Sequence, residues 1–420
     1  MRSPLAGCAL LLLLVACSPA QPAGPAGKSL RIGVDLPLSG AEVGAATPVL
    51  DGVRFFLQTH PALDGFNVEL VIADDAADPD RGASNIDTFL SDPSVMAMIG
   101  PLDGAVARKE IPVANAAGLA MVSPATSNPC LTRDTYLPAF LNPARTAVTC
   151  KQAGVPAASE LRPAHVNNFF RLTTTDDLQG AAAADFAFDT LHLLRVAVIS
   201  DHETYGQGLA SAFSARFAKR GGSVLGRFDA ASQRDQAGIA SFLSRMKLDG
   251  ADAVYYGGAG CSVRAPLTSV WAGQAAPFLG GDGIAQDPAC DGAGVYATVP
   301  IADAASLPSA SAAIRAFRSS FGATTAYGPY TMLAYDAAAI LYAALDRAIR
   351  ARGGATPARA DVLARVAQTS GLAGVTGELG FDADGDTTNR VVTVLAAPAG
   401  GVGTPWTVAG TIDYSVRLPD

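Results

Sequence analysis

Hydroxyl, amide and carboxylate side chains gather where apolar runs end, and the densest such cluster is Ser123-Pro124-Ala125-Thr126-Ser127-Asn128-Pro129. It halts the apolar run from Gly118 to Val122, as turn chemistry halts a buried strand. In open α/β sheets such strand ends form the ligand crevice, where free backbone N–H groups and hydroxyls converge. Ser123, Thr126 and Ser127 therefore have the chemistry to hold a small anion such as a carboxylate. An ordinary polar β-to-α turn has the same composition. Carboxylates hold comparable places at Asp176, after the run Phe169 to Leu172, and at Asp282 in Gly280-Gly281-Asp282-Gly283. Each of these acids also reads as a helix cap or a surface charge.

Catalytic signatures are weak. Gly27-Lys28-Ser29 imitates the end of a phosphate-binding loop, but Pro22 stands where the first glycine belongs. There is no G-x-S-x-G elbow and no H-E-x-x-H. Asp382, Asp384 and Asp386 have calcium-loop spacing, yet Thr387 and Thr393 replace the required Gly and Glu, so a solvated turn is expected. His202 beside Glu203 has neither a nucleophile nor a metal set with it and reads as the polar rim of a strand end. No enzymatic activity, cofactor or metal is expected.

The chain opens with Arg2, an apolar core through Leu10 to Leu14, and then Leu14-Val15-Ala16-Cys17. A charged start, a short apolar core and small residues describe a secretory signal, too short to span a bilayer. The tetrapeptide resembles the bacterial lipobox, which makes Cys17 the expected lipidation site, residues 1–17 the signal and 18–28 a flexible tether. Net charge of −8 argues against nucleic acid as a partner. Only 16% charged residues with abundant Ala and Gly fit compact α/β packing. Apart from Cys8 and Cys17, four cysteines remain: Cys130, Cys150, Cys261 and Cys290. In an oxidising compartment these suggest two disulfides. Three pairings are possible, and proximity favours Cys130–Cys150 and Cys261–Cys290 over a zinc site, which lacks any C-x-x-C spacing.

The elements that must position these groups follow a βα rhythm. Strands are expected at 30–36, 68–73, 95–99 and 118–122, with helices at 51–60, to about 90, and at 105–117. From Cys130 to Asn168 the periodicity fails, and a loop this long is expected to be functional or an ornament on the fold. The rhythm resumes with strands at 169–172, 195–200, 224–228, 253–256, 278–280 and 295–299, and helices at 179–194, to Lys219, and at 239–246. Late helices at 330–350 and 359–368 precede a strand at 391–395. Strict alternation implies doubly wound parallel sheets.

In this order the chain resembles the type I periplasmic binding proteins, specifically the leucine/isoleucine/valine-binding receptors of ABC importers. The matching stretches are Asp74-Asp75-Ala76-Ala77-Asp78-Pro79, the Ser123 turn, Tyr205-Gly206-Gln207-Gly208-Leu209-Ala210, Val254-Tyr255-Tyr256-Gly257-Gly258 and Gly328-Pro329-Tyr330. The resemblance implies two lobes with three hinge crossings: 29–174 plus 302–380, with an inserted segment at 130–168, and 175–301 plus 381–420. It implies a ligand set of Ser123, Ala125, Thr126, Ser127, Asp176, Tyr205, Asp282, Gly104 and Tyr330. Within it Ser127 takes an α-carboxylate and Asp176 an α-ammonium. Departures from the family pattern are Asp103-Gly104 after the third strand, Ala77 in the acidic loop, Ala259-Gly260-Cys261 after Gly257-Gly258, and no aromatic in Ala41 to Thr47. The expected function is an extracytoplasmic, lipid-anchored receptor handing a small polar ligand to ABC permease subunits. A ligand sensor or partner-binding envelope lipoprotein of the same fold is the alternative.

Overall fold

The computed structural model describes residues 28–231, 235–271, 276–322, 325–399 and 405–416. The leader, Cys17 and the tether up to Gly27 lie outside the described residues.

The apolar runs become strands and the amphipathic stretches between them become helices. In chain order come β1 (Lys28–Leu36), α1 (Val43–Thr59), β2 (Ala62–Leu63), β3 (Phe66–Asp74), α2 (Pro79–Ser91), β4 (Val95–Ile99), α3 (Gly104–Ala116) and β5 (Ala120–Ser123). A detour carrying β6 (Thr135–Leu137) and β7 (Val148–Thr149) leads to β8 (Phe169–Arg171). Then follow α4 (Asp176–Asp185), β9 (Arg195–Ser200), α5 (Thr204–Lys219), β10 (Ser223–Asp229), α6 (Gln236–Leu248), β11 (Ala253–Gly257), α7 (Arg264–Val270), β12 (Phe278–Gly280) and β13 (Val295–Val299). The last part holds α8 (Pro308–Phe321), α9 (Thr331–Ala351), α10 (Arg359–Ala367), β14 (Leu372–Gly374), β15 (Gly377–Leu379), β16 (Val391–Ala396) and β17 (Thr407–Asp413).

Two sheets result, ordered β2-β3-β1-β4-β5-β8 and β10-β9-β11-β12-β13-β16-β17. The strands from β1 to β13 within them pair in parallel, apart from the short β2. The antiparallel β16 and β17 extend the second sheet. Both faces of each sheet are covered. On the first, Ile86, Phe89 and Ile111 from α2 and α3 pack one face. Val49, Val53 and the Leu341, Leu345 stripe of α9 pack the other. Helices α1 and α9 touch so closely that a Cβ on Gly52 would stand 2.1 Å from the Thr331 carbonyl oxygen, so glycine is needed there.

Several boundaries differ from the sequence expectation. Helix α1 starts eight residues before Asp51 and runs through Pro48. The expected helix to Leu194 ends at Asp185 and widens into a π turn, Phe186–Thr190. Helix α8 was not anticipated, although Ala310, Ile314 and Phe317 form a buried face at helical spacing. Both expected disulfides, Cys130–Cys150 and Cys261–Cys290, are present.

The chain passes between the sheets three times: from Arg171 to Asp176, from Val299 to Ala304, and from Leu379 to Val391. These crossings are tied together. The Thr174 N–H donates to the Pro300 carbonyl at 2.7 Å, the Thr174 hydroxyl to the Val391 carbonyl at 3.1 Å, and the Thr393 hydroxyl to the Ile301 carbonyl at 2.8 Å. Beside them runs a buried ionic chain. Arg171, fully buried on β8, donates from Nε to Asp386 at 2.8 Å and from Nη1 to the Asn128 carbonyl at 2.7 Å. Asp386 also pairs with Arg133 at 3.2 Å, and Arg133 reaches Asp177 at 3.0 Å. Burial alone would raise the Asp386 carboxyl, but Arg171 and Arg133 outweigh it and hold it below the usual carboxylate value.

The acidic turn is solvated at Asp384, as expected from the sequence, but Asp386 is buried and serves as the anion of the crossing. Gly385, at φ 93°, lies under β8, where a Cβ would come within 2.4 Å of the Phe169 carbonyl oxygen. Removing one partner from a buried ion pair leaves the other uncompensated. Arg171→Leu is therefore expected to cost about 3 kcal/mol or more in urea unfolding; a loss near that of a surface substitution would show that the chain of charges does not secure the crossings.

Candidate functional site

Strand β5 delivers the Ser123 turn to the edge of the cleft between the sheets. The Ser123 hydroxyl donates to the Pro101 carbonyl at 2.7 Å and accepts from the Thr126 N–H at 3.0 Å and the Thr126 hydroxyl at 2.9 Å. Ser123 and Thr126 therefore use their hydroxyls to shape the turn, with the buried Ala125 between them. The Ser127 hydroxyl neighbours the Asp176 carboxylate, and the Ser127 carbonyl accepts from the Asp176 N–H at 2.9 Å. That bond joins the two sheets' contributions to the site.

Asp176 opens α4, directly after the first crossing. Its side chain is buried, and both carboxylate oxygens lack a hydrogen-bond partner of ordinary geometry among the described residues. Burial pushes the carboxyl up to about 7; the neighbouring Ser127 hydroxyl pulls it down, and the Asp282 charge adds to the rise. Arg171 and Arg108 act on this carboxyl through their charge, and neither makes a hydrogen bond to it.

Asp282 is the opposite case. Its Oδ1 accepts from the Tyr205 hydroxyl at 2.6 Å and from Gln179 Nε2 at 2.8 Å, and its Oδ2 accepts from the Tyr330 hydroxyl. The Gly283 N–H donates back to Tyr205 Oη at 3.0 Å. Burial, then the Asp282 charge, pushes both phenols far above their ordinary value, so they stay protonated donors. Tyr330 immediately precedes α9, which packs on the first sheet, whereas Tyr205, Gln179 and Asp282 belong to elements around the second. Asp282 is thus the anchor of a latch across the cleft.

Gly104 begins α3, whose first turn is capped by Asp103: its Oδ1 accepts from the Val106 N–H at 3.1 Å. A Cβ on Gly104 would meet Asn128 at 3.8 Å and Arg108 at 4.0 Å, ordinary van der Waals contact, so a side chain of alanine size would fit there. The structure brings Ser127 and Asp176 together in one group and Tyr205, Asp282 and Tyr330 in another, with Gly104 at the first-sheet rim. His202 adopts a left-handed φ of 70°, and its carbonyl accepts from Gln207, which makes it part of a turn.

Sequence reading missed Gln179 and Tyr136. Gln179 lies one helical turn after Asp176 and shares its face, a spacing visible in the sequence. Tyr136 comes from the 130–168 detour, and nothing local marks it. A cavity of about 450 Å³ also opens beside the hinge, lined by Val299, Ile301, Tyr327, Leu395 and Trp406. None of its lining side chains is a buried polar group without a partner, so the chemistry lies at Asp176. A second set of buried acids lies below the rim: burial raises Asp35 to about 6 and Asp75 to about 7, and Glu110 also rises.

A carboxyl with a raised folded value binds its proton more tightly folded than unfolded. Its contribution is complete below about 4 and is lost as pH rises through about 7. The ligand-free protein is expected to lose thermal stability between pH 5 and 8, and Asp176→Asn to lose less, with Asp35, Asp75 and Glu110 supplying the remaining slope. Identical slopes in thermal melts would show that Asp176 does not titrate as an unpaired buried acid.

Comparison with known proteins adds to this geometry. The family model described as periplasmic binding protein matches residues 29–401. A "Leu/Ile/Val-binding protein homolog 3" from Brucella melitensis is 28% identical over 329 residues, 76% of this chain and 79% of that protein. The branched-chain amino acid transporter substrate-binding protein LivJ from Streptococcus pneumoniae, solved with isoleucine, superposes with a TM-score of 0.69 at 20% identity, over 91% of this chain and 100% of that one. A solute-binding protein from R. palustris, solved with benzoate, gives a TM-score of 0.69 at 18% identity, covering 91% and 96%.

Proposed function

This chain belongs to the periplasmic binding protein family, and from that premise we propose that it is a lipid-anchored receptor that closes two lobes on an amino acid or a related small carboxylate or amide. Its role is solute binding in transport, not catalysis. The observation that carries the ligand reading is Asp176: a buried carboxylate with two unpartnered oxygens, joined through its backbone to the Ser127 turn. An ammonium satisfies Asp176, and a carboxylate meets the Ser127 hydroxyl, so a zwitterion fits both ends. Ser123 and Thr126 hold the turn, and Ala125 and Gly104 leave room beside it.

Closure follows the hinge. The lobes comprise 29–174 with 302–380 and 175–301 with 381–420, and the three crossings act as one axis. The Tyr330–Asp282 bond secures the closed form, and a closed, water-poor cleft strengthens each ion pair and gives permease subunits a distinct state to engage. Cys17 carries the lipid and places the receptor at the cell envelope. A neighbour bound to benzoate supports a second ligand class, an acid without an ammonium.

A thermal-shift panel on delipidated protein separates these classes. Ligand at a hundred times its dissociation constant adds about 2.7 kcal/mol. Aliphatic amino acids are expected to raise the melting temperature, and Asp176→Ala to abolish that rise while the ligand-free protein stays folded. Response only to acids without an ammonium would remove Asp176 from ligand contact, and silence throughout would favour a sensor or partner-binding role. For the anchor, Cys17→Ala is expected to move the protein from the membrane fraction to the soluble fraction; persistence in membranes would overturn lipidation at this residue.

A further inference from the structure

The detour between β5 and β8 has one foot near each sheet. On the first-sheet side, Leu131 and Leu161 join the cluster of Ile111, Met121 and Phe169, and the Ser159 hydroxyl donates to Asp134 at 2.8 Å. The buried Cys130–Cys150 disulfide closes the base of the arm. From this base the arm Tyr136 to Leu141 crosses to the second-sheet helices. Leu137 and Leu141 share an apolar cluster with Ala181 of α4 and Ala212 of α5. Phe140 lies against Leu178 and Ala182, and Lys219 Nζ donates to its carbonyl at 2.6 Å. The seat consists of small residues, so the arm lies close to the helix backbones. Gly180 lets α4 and α5 pack closely beneath this seat, since a Cβ there would come within 2.8 Å of Ala212 Cβ and the Leu209 carbonyl oxygen.

Tyr136 is where the arm meets the site. A Cβ on Gly208 would lie 3.7 Å from Tyr136 Oη and 3.7 Å from Asp176 Oδ2. The hydroxyl and the unpartnered carboxylate therefore border the same glycine. Burial first, and then the Asp176 charge, raise the Tyr136 phenol, while a hydrogen bond with Ser211 lowers it. The Ser211 hydroxyl donates its own proton to the Gln207 carbonyl at 2.7 Å, so between the two hydroxyls Tyr136 is the donor, and its lone pairs remain for the cleft.

We propose that the arm is a fixed side wall of the ligand cleft and that Tyr136 selects the ligand's ammonium end beside Asp176. A primary ammonium carries three N–H donors. Asp176 offers two oxygens and Tyr136 Oη a third acceptor, so all three donors find partners. An N-alkylated amine loses a donor and brings bulk against the tyrosine ring. The ammonium part rests on the amino-acid reading of the cleft; the wall does not.

The test uses two readouts on the full processed protein. Calorimetry compares leucine, N-methyl-leucine and benzoate for the wild type, Tyr136→Phe and Tyr136→Ala. Tyr136→Phe is expected to weaken leucine about tenfold and leave benzoate unchanged. Tyr136→Ala is expected to narrow the preference for leucine over its N-methyl form. Hydrogen exchange of Gly208 to Ala215 in the ligand-free protein is expected to speed up at least tenfold in Leu137→Ala/Leu141→Ala. Wild-type leucine selectivity in both tyrosine variants overturns the role of Tyr136, and unchanged exchange overturns the wall. A wild type that binds benzoate alone defeats the amino-acid reading and the ammonium role of Tyr136 together, with the exchange result then deciding the wall by itself.

Discussion

The buried chain of charges at the hinge constrains everything else in this molecule. Arg171, Asp386, Arg133 and Asp177 come from β8, the third crossing, the detour and the start of α4. None tolerates burial without the others, because an unpaired charge in a low-dielectric interior costs several kcal/mol. The network therefore fixes four chain segments relative to one another, although Arg133 and Asp386 lie far apart in sequence. Threonine hydroxyls at Thr174 and Thr393 pair the remaining backbone of the crossings. The result is that the three crossings between the sheets are held as one unit.

The two cleft acids play contrasting parts. Asp282 is surrounded by donors and is stable as it stands. Asp176 is more deeply buried, and apart from the neighbouring Ser127 hydroxyl its carboxylate has no donor of ordinary geometry among the described residues. The first acid joins elements of the two sheets, and under the proposed amino-acid reading the second receives the ligand's ammonium. A site with every acid satisfied would have no electrostatic reason to bind a zwitterion. Leaving one unsatisfied lowers the stability of the empty protein and directs that energy toward ligand binding.

Some of this was legible in the residues. The strand ends at Ser123, Asp176 and Asp282 stood out because turn chemistry follows apolar runs there, and the disulfide pairs followed from spacing. The division of labour within the turn was not legible. Ser123, Thr126 and Ser127 are chemically alike in sequence, and only the position of the Pro101 carbonyl commits Ser123 to structure. Asp386 misled for a similar reason: an Asp-x-Asp-x-Asp run looks solvated until two arginines from elsewhere in the chain bury it.

The sequence alone determined the alternation of strands and helices, the parallel sheets that alternation requires, and the family those patterns resemble. These depend on local periodicity and short-range turn chemistry, which a linear string retains. Tertiary structure alone decided which acid is paired and which is open, which hydroxyl faces the cleft, and that Tyr136 stands beside Asp176. Those outcomes depend on groups distant in sequence meeting in space, where burial and the nearest countercharge set the energy. Residue type names the chemistry available, and the packed neighbours decide whether it is used.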